Sequence, residues 1–148
     1  MKGKAMDSSE MKASATAFMK EFSSGDRASA WRRATGDIRW TVNQHSVPKG
    51  ELAVFDRTAY DAMVASSGDL FPQGITIEVT DAAAENNRVM LEARGHGALA
   101  DGRIYANHYI FTFRFRGDLI CEVAEYLDTA YAQGMLAVVM EAPGAEKG

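Results

Sequence analysis

Glu125 has the most to explain. In the run from Leu119 to Asp128, two-residue alternation puts it on one strand face with Cys121, Val123 and Leu127. A carboxylate among apolar neighbours loses solvation, which raises its pKa toward the range useful to a general base or acid unless a cation neutralises it. Pairing with an arginine at a sheet rim is the ordinary alternative. A second polar set lies in the run from Arg88 to Leu99, where Val89, Leu91, Ala93 and Gly95 form a small apolar face. Met90, Glu92, Arg94 and His96 form the opposite one. If that polar face meets a pocket, Arg94 and His96 offer one ligand a fixed cation and a titratable imidazole. If it meets water, it is a solvated outer face, the commoner fate of charged strand faces and the one these residues favour when taken alone.

A third candidate interrupts an aromatic stripe. Tyr105, Asn107, Tyr109, Phe111, Phe113 and Phe115 share one face of a strand. The phenylalanines read as sheet core, whereas a buried amide at Asn107 needs several hydrogen bonds, to a ligand or to backbone groups near the Gly102 turn. Trp40 reads as core with an indole N–H in search of a partner.

These groups need elements to hold them. Met11, Ala15, Phe18, Met19 and Phe22 recur at spacings of three and four, which predicts an amphipathic helix stopping near Ser23-Ser24-Gly25. Asp26 can cap a short second helix carrying Ala30, Trp31 and Ala34 and closed by Gly36. From Asp37 the period becomes two, with Ile38, Trp40 and Val42 on one face of a first strand. Gln44 to Val54, with Pro48 and Gly50, reads as a long loop. Asp56 can cap a third helix with Tyr60, Met63 and Val64 on one face, ending at Ser66-Ser67-Gly68.

Four strands follow, predicted over Ile75 to Ala83, Arg88 to Leu99, Arg103 to Arg116 and Leu119 to Asp128. The turn-prone pairs Asn86-Asn87, Asp101-Gly102 and Gly117-Asp118 separate them as consecutive hairpins. A closing helix over Thr129 to Met140 is expected from Tyr131, Met135, Val138 and Val139. Three helices and then a meander make an α+β order: a curved antiparallel sheet, covered by the helices, forming a cone whose mouth is a pocket.

Composition removes several classes of function. With 148 residues, 47% hydrophobic and 24% charged, the chain is expected to be a single globular domain with an ordered core over residues 11–140. A formal net charge of −4 argues against nucleic acid and anionic membrane partners. One cysteine, Cys121, makes no internal disulfide, and the three histidines share no metal-ligand spacing with it. No segment reads as a signal or a membrane span, and the tail from Ala142 to Gly148 is expected to fray, so a cytoplasmic location is the expectation. Without a phosphate loop, a paired-cysteine zinc pattern, a Gly-x-Ser-x-Gly elbow or a dinucleotide fingerprint, no metal and no cofactor is expected.

Three stretches carry a family resemblance: Gly95-His96-Gly97, the run from Asp101 to Arg116, and Val123-Ala124-Glu125-Tyr126-Leu127-Asp128-Thr129-Ala130. Together they resemble the SnoaL-like group of the nuclear transport factor two-like superfamily, over roughly Met11 to Tyr131. Relatives in that superfamily include ketosteroid isomerases, limonene-epoxide hydrolases and polyketide cyclases. The resemblance implies the cone-shaped fold, with Glu125, Arg94 and His96 together in the pocket as base, orienting cation and second proton carrier. It also implies a ligand-binding wall of Phe18, Phe22, Trp40, Asn107, Tyr109 and Val123. Trp40 and Val42 stand where the epoxide hydrolases hold water with a tyrosine and an asparagine, which points away from epoxide hydrolysis. Helix one offers Phe18 and Phe22 where the ketosteroid isomerases have a tyrosine.

The function expected from residues and resemblance is a cofactor-independent isomerase, cyclase or hydrolase. It would act on a small apolar molecule, such as a terpenoid, steroid or polyketide, by acid–base chemistry. The alternative is a non-catalytic binding protein of the same fold. A homodimer is expected through the outer face of the sheet, where parity puts Ile110, Thr112 and Ile120.

Overall fold

Asp7 opens helix α1 (Ser8–Ser24) with a capping box: its carboxylate accepts from the Glu10 backbone N–H at 2.8 Å while Glu10 accepts from the Asp7 N–H at 3.0 Å. Gly25 ends it in the left-handed conformation, φ 89°, that a residue without Cβ adopts freely. Asp26 and Asp56 cap α2 (Arg27–Arg32) and α3 (Arg57–Ser66) by accepting the Ser29 and Ala59 backbone N–H, without the reciprocal bond of the box. The structure is a computed structural model, and it describes residues 6–42 and 53–141.

Six strands form one curved, unclosed sheet in the order β2-β1-β6-β5-β4-β3. They are β1 (Ala34–Val42), β2 (Ala53–Phe55), β3 (Thr76–Glu85), β4 (Arg88–Ala98), β5 (Ile104–Arg116) and β6 (Leu119–Leu127), followed by α4 (Thr129–Glu141). The meander from β3 to β6 follows the predicted hairpins, with Asn86, Gly102 and Gly117 taking the positive φ that such tight turns require. Helix α1 lies across β3 and β4 and closes one side of the sheet.

Four expectations need correction. The sheet is not wholly antiparallel, because β1 runs parallel to β6, with Trp40 beside Val123 and Val42 beside Glu125. Strand β1 begins at Ala34, so Ala34 and Gly36 belong to it and not to the second helix; that helix stops once the Arg33 N–H has bonded back to Ala30. The expected loop from Gln44 to Val54 lies mostly outside the described residues, but Ala53–Phe55 is a short strand paired with β1. Finally, Ile120 does not face outward. An irregularity at Cys121 gives β6 one extra residue, so that Phe115 pairs with Ile120 but Phe113 with Val123. Ile120 therefore turns inward and is fully buried. The expected fraying of Ala142 to Gly148 lies outside the described residues. No helix among the described residues is long and apolar enough to cross a membrane.

Candidate functional site

Inward-facing side chains of the sheet form two regions. Toward the Arg116 end of β5, Val89, Leu91, Phe113, Phe115 and Ile120 pack against α1 as a solid core. Toward the other end the inward side chains of β4 shrink from Leu91 to Ala93, Gly95 and Gly97, and the interior opens into a cavity of about 720 Å³. That is within the usual range for a small-molecule site. Its walls come from α1, α3, α4 and the inner faces of β1, β3, β5 and β6.

Glu125 projects into this cavity from β6. Its Oε1 accepts the Trp40 indole N–H at 2.9 Å, which supplies the partner that a buried tryptophan needs. Tyr60 of α3 stacks on the Trp40 ring, centroids 3.8 Å apart and planes 17° apart. Its hydroxyl favours the ionised form of Glu125, though it falls short of the hydrogen-bonding geometry that Trp40 achieves. Among the described residues no arginine, lysine or histidine forms an ion pair with Glu125. The rim carboxylate paired with an arginine is therefore not the arrangement here. Burial pushes the Glu125 carboxyl from 4.5 up to about 7, against the opposing effects of Trp40 and Tyr60. Near neutral pH the group is thus divided between acid and base, the condition in which a carboxyl can both take and return a proton. The same burial, with Glu125 nearby, raises the Tyr60 phenol well above its ordinary value and keeps it a donor.

A second polar cluster belongs to β5. Asn107 is buried and sends its amide N–H groups to the Tyr105 hydroxyl at 2.8 Å and the Asp128 carbonyl at 3.1 Å. Its Oδ1 accepts the His108 backbone N–H at 2.8 Å. Tyr105 and Tyr109 hydroxyls lie 2.9 Å apart, and both tyrosines line the cavity. Burial raises both phenols, so both stay protonated. Tyr109 is the diagonal neighbour of Glu125 on the same face, since Phe111 pairs with Glu125 and Tyr109 with Leu127; such positions are about 7 Å apart.

Gly95 makes room for this arrangement. A Cβ there would stand 2.6 Å from Tyr109 Cε1 and 3.1 Å from Ile77 Cδ1, so the ring lies directly over the glycine. Gly95→Ala is expected to cost about 1–3 kcal/mol through overpacking of a buried ring. Urea unfolding checks this, and a change below about 0.5 kcal/mol, the ordinary range for a surface site, would mean that the ring is not held there.

The candidate residues separate cleanly. Trp40, Phe22 and Tyr109 lie on the cavity wall with Glu125. Phe18 and Val123 are buried in the packed core beneath that wall, and Asn107 reaches the site through Tyr105. Arg94 and His96 are not with Glu125: they alternate with the buried residues of β4 and stand exposed on the outer face of the sheet. Strand parity correctly groups Arg94 with His96 but does not say which face is inward. The inward face is the one whose small side chains give the helices and the Tyr109 ring room to pack.

Tyr60 and Tyr105 were not expected at the site, and Tyr109 was expected there only as part of the wall, without the pairing of its hydroxyl to that of Tyr105. The available signals were the hydroxyl on the apolar face of α3 and two tyrosines flanking Asn107 on one strand face. Among the described residues no group of three His, Cys, Asp or Glu side chains is placed to hold a metal ion.

A family model described as a SnoaL-like domain matches residues 15–123 of the chain. No curated protein matches it in sequence. Similar solved structures include AclR, a putative hydroxylase from Streptomyces galilaeus, with TM-score 0.70 and 17% identity, covering 93% of this chain and 95% of that one. PrhC from Penicillium brasilianum has TM-score 0.74 and 14% identity over 90% of each chain. A putative SnoaL-like polyketide cyclase from Jannaschia has TM-score 0.67 and 17% identity over 99% of each chain. At such identities the likeness is one of fold.

Proposed function

The chain belongs to the SnoaL-like domain family, and from that premise we propose that it is a cofactor-independent proton-transfer enzyme, an isomerase or cyclase, with Glu125 as its base. The observation that carries this reading is the Glu125 carboxyl itself, facing a largely apolar cavity, paired with no cation among the described residues and held near neutrality. The ionised carboxylate takes a proton from a carbon next to a carbonyl group, and the C–H electron pair moves onto the carbonyl oxygen as an enolate. In isomerisation, the protonated Glu125 returns the proton to another carbon of the same conjugated system. In cyclisation, the enolate carbon attacks a second carbonyl of the substrate, and the new alkoxide takes up the proton. Each course conserves atoms and electrons with no further reagent. The substrate class is a small, largely apolar ketone of terpenoid, steroid or polyketide size.

Hydrolysis is less well supported, because the Trp40 N–H is spent on Glu125 and Val42 offers no hydrogen bond to a water. The second reading is a binding protein without chemistry, favoured by how much of the cavity wall is apolar. Incubation with enolisable polycyclic ketones in D₂O separates the two. Catalysed incorporation of deuterium, rising with pH through about 7 as Glu125 ionises, is the expected result. Arg94→Ala and His96→Ala should leave the rate unchanged, because both side chains stand outside the cavity. Saturable binding with no exchange above the buffer rate would establish the binding reading instead.

We also infer a homodimer through the outer sheet face. There the exposed Met90, Ile110 and Tyr126 form an apolar patch, and Glu92 beside Arg94 makes the surface self-complementary in charge. Light scattering should give twice the 16.1 kDa chain mass, and a monomer mass at micromolar concentration would overturn the assignment.

A further inference from the structure

The orientation of the Asn107 amide fixes more than its own hydrogen bonds. The Asp128 carbonyl only accepts and the His108 backbone N–H only donates, so the NH₂ group must face Asp128 and the oxygen must face His108. It follows that Asn107 donates to the Tyr105 hydroxyl and cannot accept from it. Tyr105 and Tyr109 bring two hydroxyl protons to a contact that consumes one. Whichever tyrosine donates to the other, one proton remains, and no acceptor among the described residues takes it. Both tyrosines face the cavity, so the unspent donor is available to whatever fills it.

Charge narrows the occupant further. The described wall contains two charged side chains. One is Glu125, and the other is Arg27 at the mouth, already 3.1 Å from Asp61. A ligand in the cavity therefore meets neutral donors, the unspent tyrosine hydroxyl among them, one carboxyl and, among the described residues, no free cation. A carboxylate or phosphate placed there would face Glu125 without compensation, an expensive burial of like charge.

We propose that the Tyr105–Tyr109 pair is a carbonyl-binding site, selecting an uncharged ligand whose ketone oxygen accepts the one unspent hydroxyl proton. This rests on the reading of Glu125 as the base, and it adds where the substrate oxygen sits: on the same sheet face as Glu125, one diagonal step along the β5–β6 ladder. In turnover the same donor holds the enolate oxygen, whose negative charge strengthens the hydrogen bond. Asn107 is a positioning residue, since it acts on the ligand through Tyr105.

The test uses the full chain and a carbonyl-labelled neutral ketone, 2-acetylnaphthalene carrying carbon-13 at the C=O, read by isotope-edited difference infrared spectroscopy. In the wild type the bound carbonyl band should fall below its position in cyclohexane, the mark of a donated hydrogen bond. In Tyr105→Phe/Tyr109→Phe, which removes both hydroxyls and keeps both rings, the band should return to the cyclohexane position. In Glu125→Gln the lowered band should persist, so a failure of the base leaves this result standing and a failure of the donor leaves the exchange experiment standing. A wild-type band at the cyclohexane position overturns the proposal even if the double variant does not fold. An unchanged shift in a folded double variant overturns it as well, as does the absence of saturable probe binding by the wild type.

Discussion

Glu125→Gln is expected to slow proton transfer by about 10²–10⁴-fold, the usual contribution of a positioned general base, and at the same time to make the protein more stable. Glutamine keeps an oxygen for the Trp40 indole and gives up the basic lone pair. The stability gain follows from linkage. The folded-state pKa is raised, so folding favours the protonated form. Below about pH 4.5 the group is protonated whether the chain is folded or not, and it contributes nothing. Between about 4.5 and about 7 the unfolded chain ionises first, so stability falls as pH rises through this window. Above about 7 both states are ionised, and the whole cost of holding a carboxylate in the cavity has been incurred. At about 1.4 kcal/mol for each pH unit, that cost is on the order of 3 kcal/mol. Urea unfolding at pH 8 should therefore favour the variant by up to about 3 kcal/mol, and the difference should vanish near pH 4. Equal stability of variant and wild type at both pH values would contradict the burial of an uncompensated charge.

Phe18→Ala is expected to destabilise the fold by about 3–5 kcal/mol, as deletion of a fully buried aromatic ring generally does. Phe18 is the ring on which the helices and the sheet meet. Its centroid lies 4.9 Å from Phe22, 5.6 Å from Trp40, 5.9 Å from Phe113 and 6.0 Å from Trp31, so its loss leaves a void bordered by groups that cannot all collapse inward. Domains of this kind are stable by about 5–15 kcal/mol in total, so the variant should be visibly weakened. Denaturant titration should show a lowered midpoint with an unchanged slope. A loss under about 1 kcal/mol would mean that the site had collapsed around the deleted ring, and that α1 is less firmly seated than its packing indicates.

Most of the architecture was legible because it is local. Two-residue alternation and the pairs Asn86-Asn87, Asp101-Gly102 and Gly117-Asp118 define β3 to β6 within a few residues, and Asp26 and Asp56 act as caps where polar residues precede helical spacing. What was not legible depends on contacts between distant segments. The parallel pairing of β1 with β6 joins residues more than 80 positions apart. The extra residue at Cys121 shows itself only in the pairing with β5, and it reverses the face of Ile120.

The candidate site divides along the same line. Glu125 stood out because a carboxylate alternates with apolar residues, and the structure places it on the cavity wall. Arg94 and His96, taken alone, favoured the solvated outer face on which they stand, and it was the resemblance that implied a place in the pocket. The shrinking series Leu91, Ala93, Gly95 and Gly97 marks the side on which a cavity can open. Tyr60 comes from a helix with no sequence link to Glu125, and only the stacking on Trp40 brings them together.

The account depends on one protonation equilibrium. Carbon-13 NMR of the Glu125 side-chain carboxyl, assigned by loss of the signal in Glu125→Gln and followed from about pH 4 to 9, should give a midpoint near 7. A midpoint near 4.5, the value of an ordinary solvated glutamate, would contradict the account: Glu125 would then be neither sequestered from water nor poised to exchange a proton at neutral pH.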